Sequence, residues 1–136
     1  MDFTWVTDYR ELEEHLHYLE WNLNKSKLEL MRWVSGDLAD VKLNKNSRSS
    51  YLEENIQKIE QEIDLLEQQK KEMRLLFDSF TGVENKIVKM KYIDGMILEE
   101  IAETLGYSDS YIRKKHAGIR NTLQFIKEYE SRKNRK

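Results

Sequence analysis

The chain has 136 residues, of which 35% are charged and 39% hydrophobic, with five glycines, no prolines and no cysteines. So few helix breakers favour an all-α protein, made of one domain or of a small domain with a helical extension. The lack of cysteine excludes a disulfide framework, a zinc finger and thiol catalysis. There is neither a bilayer-spanning apolar run nor a signal-peptide core, so we expect a cytoplasmic protein without a membrane partner.

Charge is distributed unevenly along the chain. Residues 1–82 carry 11 basic and 17 acidic side chains, residues 83–136 carry 12 and 8, and residues 107–136 carry 9 and 3. An acidic half joined to a basic end is typical of a nucleic-acid-binding module on a scaffold that does not bind. A solvated helix with a basic tail gives the same counts, so charge alone leaves both interpretations open.

The first predicted helix covers residues 8–34, with Thr7 or Asp8 as its cap. Its apolar positions recur in steps of three and four, and Ser26 interrupts them. Aromatic side chains widen the apolar surface beyond one stripe, which indicates more than one neighbour. The apolar positions are Tyr9, Leu12, Leu16, Leu19, Leu23 and Leu30, and the additional aromatic residues are Trp5, Tyr18, Trp21 and Trp33.

A polar loop is predicted over residues 35–50, with a helical turn at 37–43, and a second long helix over residues 51–80. Ser50 and Glu53 have the spacing of a capping box. The heptad pattern, which only Lys70 breaks, predicts a coiled-coil seam. Two long helices joined by a loop suggest an antiparallel hairpin, but the seam suits a second chain equally well. The seam comprises Leu52, Ile56, Ile59, Ile63, Leu66, Met73, Phe77 and Phe80.

Three shorter helices are predicted in the last part of the chain. The first, residues 83–93, follows a capping-box pair, Thr81 and Glu84, and ends at an Asp-Gly turn. The second begins at Leu98 and must stop at Gly106, because glycine adopts the left-handed conformation after a helix without steric cost. Ser108 can cap the third helix, which continues to about Tyr129. We expect the tail, residues 130–136, to be disordered.

The last helix has two faces when its residues are placed about 100° apart. Ile112, His116, Ile119 and Leu123 form the face that must pack on the two helices before it. In a major-groove docking, exposed residues near the helix start reach base edges, and their neighbours reach phosphates. The candidates for base contacts are Ser110, Arg113, Lys114 and Ala117, and those for phosphate contacts are Lys91, Ser108, Tyr111, Lys115 and Arg120.

Plainer interpretations accompany these assignments. Arg113 and Lys114 can be ordinary solvated charges, and His116 is better read as a half-buried packing residue than as a ligand. His15 and His17 point in nearly opposite directions on a helix and cannot share a metal. We find no phosphate-binding loop, metal-ligand spacing or nucleophile motif, and therefore expect neither an enzyme nor a cofactor.

The segment Glu100-Ile101-Ala102-Glu103, Leu105-Gly106, Ser108 and Ile112-Arg113 resembles the helix-turn-helix of sigma-70 region 4. The segment from Glu84 to Gly95, which ends in Met90-x-Tyr92-Ile93-Asp94-Gly95, resembles the preceding helix in that family. The whole chain resembles small phage and prophage transcriptional regulators of the late-gene or autolysin-regulator type. It departs from the family at Ile97, where Ser or Thr is usual, and at Lys115, where an apolar residue is common. It is also too short for a complete sigma factor.

The resemblance implies contacts to DNA from Ser110, Arg113 and Lys114. We therefore expect a helical hairpin or coiled coil (residues 1–80), a three-helix helix-turn-helix domain (81–129) and the tail. The expected function is a transcriptional regulator that binds double-stranded DNA, with the coiled coil forming a homodimer or contacting RNA polymerase. The alternatives are the recognition subunit of a phage DNA-packaging machine, similar to a small terminase, and a protein-interaction module that binds no DNA.

Overall fold

The structure, a computed structural model, describes residues 9–36, 38 and 45–134, and the described chain contains five helices and no strand. The predicted all-α class is therefore confirmed. None of the described helices combines the length and the apolar character needed to cross a membrane. The helices are α1 (Tyr9–Val34), α2 (Lys45–Asp78), α3 (Gly82–Val88, continued by a π-helical turn over Lys89–Ile93), α4 (Leu98–Leu105) and α5 (Asp109–Lys133).

Two helix ends differ from the prediction. Helix α2 begins at Lys45, so Ser50 and Glu53 lie inside the helix and the predicted capping box is wrong. The earlier start accompanies an ion pair in which Arg48 Nη2 lies 2.6 Å from Glu29 Oε1 of α1. Helix α5 continues to Lys133, so part of the predicted disordered tail is helical. The expected cap at residues 7 and 8, the helical turn at 37–43 and Trp5 lie at least partly outside the described residues.

The chain divides into two compact units, of which one comprises residues 12–70. Its two helices run in opposite directions, as two ion pairs show. Lys70 Nζ near the end of this part of α2 lies 3.4 Å from Glu13 Oε2 near the start of α1, whereas Arg48 near the start of α2 pairs with Glu29 near the end of α1. Lys70, the break in the apolar pattern, thus has a charged partner. Its buried side chains come from both helices and follow the predicted seam; they are Leu16, Leu19, Ser26, Leu52, Ile56 and Ile59.

The second unit comprises residues 1–11 and 71–136. A row of aromatic rings runs through its described part. Tyr9 meets Phe77 edge to face at a centroid distance of 5.7 Å, and Phe77 stacks on Tyr92 at 5.8 Å. Tyr92 in turn lies 6.0 Å from the ring of His116. Offset and edge-to-face ring pairs stabilise a core beyond the area they bury, so this row ties the start of α1 and the end of α2 to α3 and α5.

Helices α3, α4 and α5 form the rest of this core. The inward face of α5 is buried as the sequence predicts, and His116 on that face is half-buried, also as predicted. Thr81 makes no side-chain hydrogen bond at the start of α3, so the second predicted capping box is not formed. Glu84 instead lies 3.8 Å from Lys115. The side chains that fill the core are Ile87, Val88, Ile101, Ala102, Ile112, Ile119 and Leu123.

The turn between α4 and α5 forms as predicted. Gly106 has φ 77° and ψ 28°, the left-handed conformation. Its N–H and that of Tyr107 both donate to the carbonyl of Ala102, at 2.9 and 3.0 Å. Ser108 Oγ then accepts from the N–H of Tyr111 at 3.1 Å and caps α5. The turn therefore satisfies backbone groups at both helix ends, which fixes the direction in which α5 leaves α4.

Two glycine substitutions test the left-handed conformation of Gly106, because they should change the free energy of unfolding in opposite directions. Gly106→Ala meets no neighbouring atom but must keep a positive φ, so we expect it to lower the free energy of unfolding by about 1–2 kcal/mol. Gly118→Ala also meets no neighbouring atom and lies inside α5, so it should raise that free energy by about 0.5–1 kcal/mol. Urea denaturation measures both, and stabilisation by Gly106→Ala would contradict the left-handed turn.

Candidate nucleic-acid interface

The four residues assigned to base contacts lie on the solvent-exposed side of α5. Ser110, Arg113, Lys114 and Ala117 are all exposed, within the first nine residues of the helix. The buried face of the same helix lies against α3 and α4. The structure thus presents two cations, a hydroxyl and a methyl group on one side of a helix whose other side is fixed in a core.

Arg113 has an acidic neighbour on the preceding helix. Its Nη2 lies 3.9 Å from Glu99 Oε1, and the two side chains are 63% and 67% exposed. A pair so open to water contributes little, at most about 1 kcal/mol. The guanidinium therefore remains available to an anion or a base edge, while Glu99 places an opposing charge next to it.

Helix α5 begins with a stacked pair of tyrosines. The rings of Tyr107 and Tyr111 lie 4.6 Å apart, and Lys115 Nζ lies 5.7 Å above the Tyr111 ring. Lys115 also approaches Glu84 Oε1 at 3.8 Å. These two contacts of Nζ place the ammonium group at the flank of α5. Ser108, beside them, is exposed, and its hydroxyl can still donate a hydrogen bond while it accepts the cap.

Lys91 and Arg120, the other two residues assigned to phosphates, lie near His116. Lys91 belongs to the π-helical turn after α3 and is half-buried, whereas Arg120 is exposed on α5. Tyr92 Oη and His116 Nε2 are 2.9 Å apart. Burial, together with the positive charges of Lys91 and Arg120, lowers the pKa of His116 to about 4. Burial also raises the pKa of Tyr92, against the opposing effect of Arg120. His116 is therefore neutral at pH 7 and packs in the core, as expected.

The acidic partners of these cations could not be predicted from the sequence. The carboxylates Glu84 and Glu99 come from two other helices, so no spacing within one helix could reveal them. Side chains four residues apart are neighbours when both lie in one helix. Tyr107 lies before Ser108, the cap of α5, so this rule did not predict its contact with Tyr111. Its spacing from Tyr111 and their shared aromatic character were the available signal.

No group of three metal-ligating side chains occurs in the described part of the chain. What the described face of α5 offers is cationic and neutral hydrogen-bond donors, on a convex surface. This chemistry suits recognition of an anionic partner.

Comparisons with protein-family models, with curated proteins and with solved structures found no match to this chain. The functional interpretation therefore depends on the residues and the geometry described above.

The pKa of His116 gives a pH-dependent test. The ordinary pKa of histidine is about 6.5, so between pH 6.5 and 4 the unfolded chain binds a proton that the folded chain does not. Stability contributed by neutral His116 is thus complete above pH 6.5 and is lost as the pH falls towards 4. We expect His116→Gln, which can still accept from Tyr92, to lose less stability than the wild type over this interval, by on the order of 2 kcal/mol after allowance for partial exposure.

Urea denaturation at pH 7 and at pH 4.5 measures the difference. His17→Gln replaces an exposed histidine of α1 and is the control; it should retain the wild-type loss. Equal losses for the wild type and His116→Gln would show that burial near Lys91 and Arg120 does not keep the imidazole neutral.

Proposed function

We propose that this protein is a transcriptional regulator that binds double-stranded DNA with sequence specificity, using α5 in the major groove. One observation carries the proposal. The exposed residues near the start of α5 are basic or small, and they follow a three-residue turn that begins with left-handed Gly106. A helix that packs, a glycine turn and a projecting basic helix form the layout of a DNA-binding helix-turn-helix.

The chemistry of the exposed face suits base edges. Arg113 and Lys114 can donate to the O6 and N7 acceptors of guanine, and Arg can do so with two parallel bonds. Ser110 can donate or accept, and the methyl group of Ala117 can meet a thymine methyl. Because the N-terminal residues of a recognition helix reach deepest into the groove, these four positions are the proposed readers of sequence.

The flanking groups suit the phosphate backbone. Ser108, Tyr111, Lys115, Arg120 and Lys91 supply hydroxyl and cationic donors beside the reading face. Phosphate contacts contribute most of the affinity and set the register of a protein on DNA, without reading its sequence. The tyrosine stack under Lys115 favours this role, because a partly fixed cation loses less conformational freedom on binding.

The likeness to sigma-70 region 4 and to small phage and prophage regulators supports the same function. On this proposal, the unit formed by residues 12–70 does not read DNA and holds the reader in place, either by joining two copies or by contacting RNA polymerase. Its acidic character disfavours direct contact with phosphate.

Removal of the two proposed base-reading cations gives the first test. We expect Arg113→Ala/Lys114→Ala to weaken binding to a duplex at least about tenfold. The slope of log K against log salt should also fall by about 1–2 in magnitude, because a protein with two fewer cations displaces fewer counterions from the DNA when it binds. Fluorescence anisotropy with a labelled duplex of mixed sequence, at several salt concentrations, measures both quantities.

The matched control is Arg132→Ala/Lys133→Ala, which removes the same charge from the last turn of α5. These positions lie about 28 Å along the helix from Arg113, well beyond the screening length. The control should bind nearly as the wild type does. Unchanged affinity and salt slope in the first variant would rule out the groove assignment, and no duplex binding by the wild type at low salt would favour a protein-interaction module.

Glu99, the acidic neighbour of Arg113, gives a second test, in which the substitution should strengthen duplex binding and not weaken it. Glu99→Gln removes a charge that competes with DNA for the guanidinium and repels phosphate. We expect duplex binding to tighten by roughly two- to fivefold, the size of an exposed ion pair. Glu130→Gln, an exposed carboxylate near the far end of α5, is the control for net charge and should change affinity less. Weaker binding by Glu99→Gln would mean that Glu99 orients Arg113 for the contact.

A further inference from the structure

Helix α1 carries a second stripe of regularly spaced side chains. The stripe lies about 180° around the helix axis from the buried seam that packs in the unit of residues 12–70. Three of its members are large and apolar, with Tyr18, Trp21 and Leu28 exposed to 58%, 59% and 63%. We name it the outer stripe; its members, in steps of four and three, are Glu14, Tyr18, Trp21, Lys25, Leu28 and Arg32.

The outer stripe has internal contacts. The rings of Tyr18 and Trp21 lie 6.3 Å apart, and Lys25 Nζ lies 5.2 Å from the centre of the Trp21 ring. Large apolar groups that cluster on an exposed surface usually mark an interaction site, unlike single exposed residues. A cation over a tryptophan face can also be satisfied by the tryptophan of another molecule in the same arrangement.

The charges of α1 indicate what that other molecule is. The first half of the helix, residues 9–21, carries four carboxylates and one guanidinium, whereas residues 22–34 carry three cations and one carboxylate. The outer stripe itself begins at Glu14 and ends at Arg32. A helix that is acidic at one end and basic at the other is complementary to its own copy when the two run in opposite directions.

One register makes every position of the outer stripe complementary. If the midpoint of the outer stripe, at residue 23, lies against the same point of the second copy, Glu14 faces Arg32, Tyr18 faces Leu28 and Trp21 faces Lys25. Two-fold symmetry then makes each of these pairs twice. A parallel pairing would instead put Glu14 against Glu14, Lys25 against Lys25 and Arg32 against Arg32, which is unfavourable for like charges.

We propose that the outer stripe binds a second copy of this chain, with the two α1 helices antiparallel and related by a two-fold axis. The inference does not depend on binding to DNA. It differs from pairing through the heptad seam, because the buried side of α1 stays in its own unit and only the exposed side meets the partner. Six positions span about 27 Å of helix, a small interface, so we expect a dimer that dissociates on dilution.

Sedimentation velocity of the full-length protein over a range of concentrations tests the dimer and its anchor. We expect Trp21→Ala to raise the dissociation constant at least about tenfold, because a central tryptophan often dominates a small interface. Leu65→Ala, which truncates an exposed apolar residue of α2, is the control and should leave it unchanged. A wild type that stays monomeric at all concentrations, or a dimer insensitive to Trp21→Ala, would overturn the proposal.

Charge reversal tests the direction of pairing. Glu14→Arg places arginine opposite Arg32 in both symmetric pairs and should weaken the dimer about tenfold. The double variant Glu14→Arg/Arg32→Glu restores opposite charges and should recover most of the lost affinity. Glu20→Arg reverses a charge of the same helix off the outer stripe and is the control. Failure of the double variant to recover would contradict the antiparallel register.

Because the natural chain has no cysteine, disulfide cross-linking gives an independent test. In the antiparallel register, Glu14→Cys/Arg32→Cys brings unlike positions together and should form a covalent dimer on oxidation. Glu14→Cys alone should not, since the two copies of position 14 are then about 27 Å apart. Efficient cross-linking by Glu14→Cys alone would show that the helices are parallel and would overturn the proposed symmetry. Absence of cross-linking in the double variant would overturn it as well.

Discussion

Burial of one face of α5 is the constraint on which the candidate interface depends. Ile112, Ile119 and Leu123 are almost completely inaccessible, and the helix packs against both α3 and α4. Once that face is fixed in the core, helical periodicity determines which residues lie on the opposite, exposed face. Arg113 and Lys114 are exposed because burial of Ile112, Ile119 and Leu123 turns their side of the helix towards solvent.

The same core explains why the unit includes segments distant in sequence. Tyr9 and Phe77 are completely buried, and their rings connect through Tyr92 to His116 on α5. Arg74 Nη1 also donates to Tyr9 Oη at 3.2 Å. A short three-helix motif buries little apolar area by itself, and the added aromatic rings supply part of what it lacks. Substitutions in this row should therefore affect the position of α5 although they lie away from its exposed face.

Periodicity and turn chemistry predicted the helices, the buried face of α5 and the Gly106 turn, because each depends on neighbours within a few residues. The capping boxes at Ser50 and Thr81 were wrong for a complementary reason. A capping motif only offers a hydrogen bond. Helix α2 begins upstream of Ser50, whereas α3 does begin after Thr81 but without a side-chain hydrogen bond from it. Arg48 pairs with Glu29 upstream of Ser50, and Glu84 lies near Lys115.

Side-chain partners across helices were equally inaccessible to sequence reasoning. The exposure of Ser110, Lys114 and Ala117 could be predicted from their angles alone, whereas the Glu99 neighbour of Arg113 required the relative placement of two helices. The outer stripe of α1 was visible only in part. Its aromatic residues were noted as excess apolar surface beside the predicted seam, but Leu28 was not, and the structure shows that Tyr18, Trp21 and Leu28 are all exposed on the side opposite that seam.

Footprinting of the purified full-length protein on fragmented genomic DNA tests the central claim most directly. If α5 reads bases in the major groove, a small set of short sites should be protected, and a common sequence of a few base pairs should emerge from them. An inverted repeat among those sites would indicate that two readers are related by a two-fold axis. Protection that is absent at low salt, or that covers all fragments equally without a common sequence, would contradict the claim that the exposed face of α5 recognises DNA sequence.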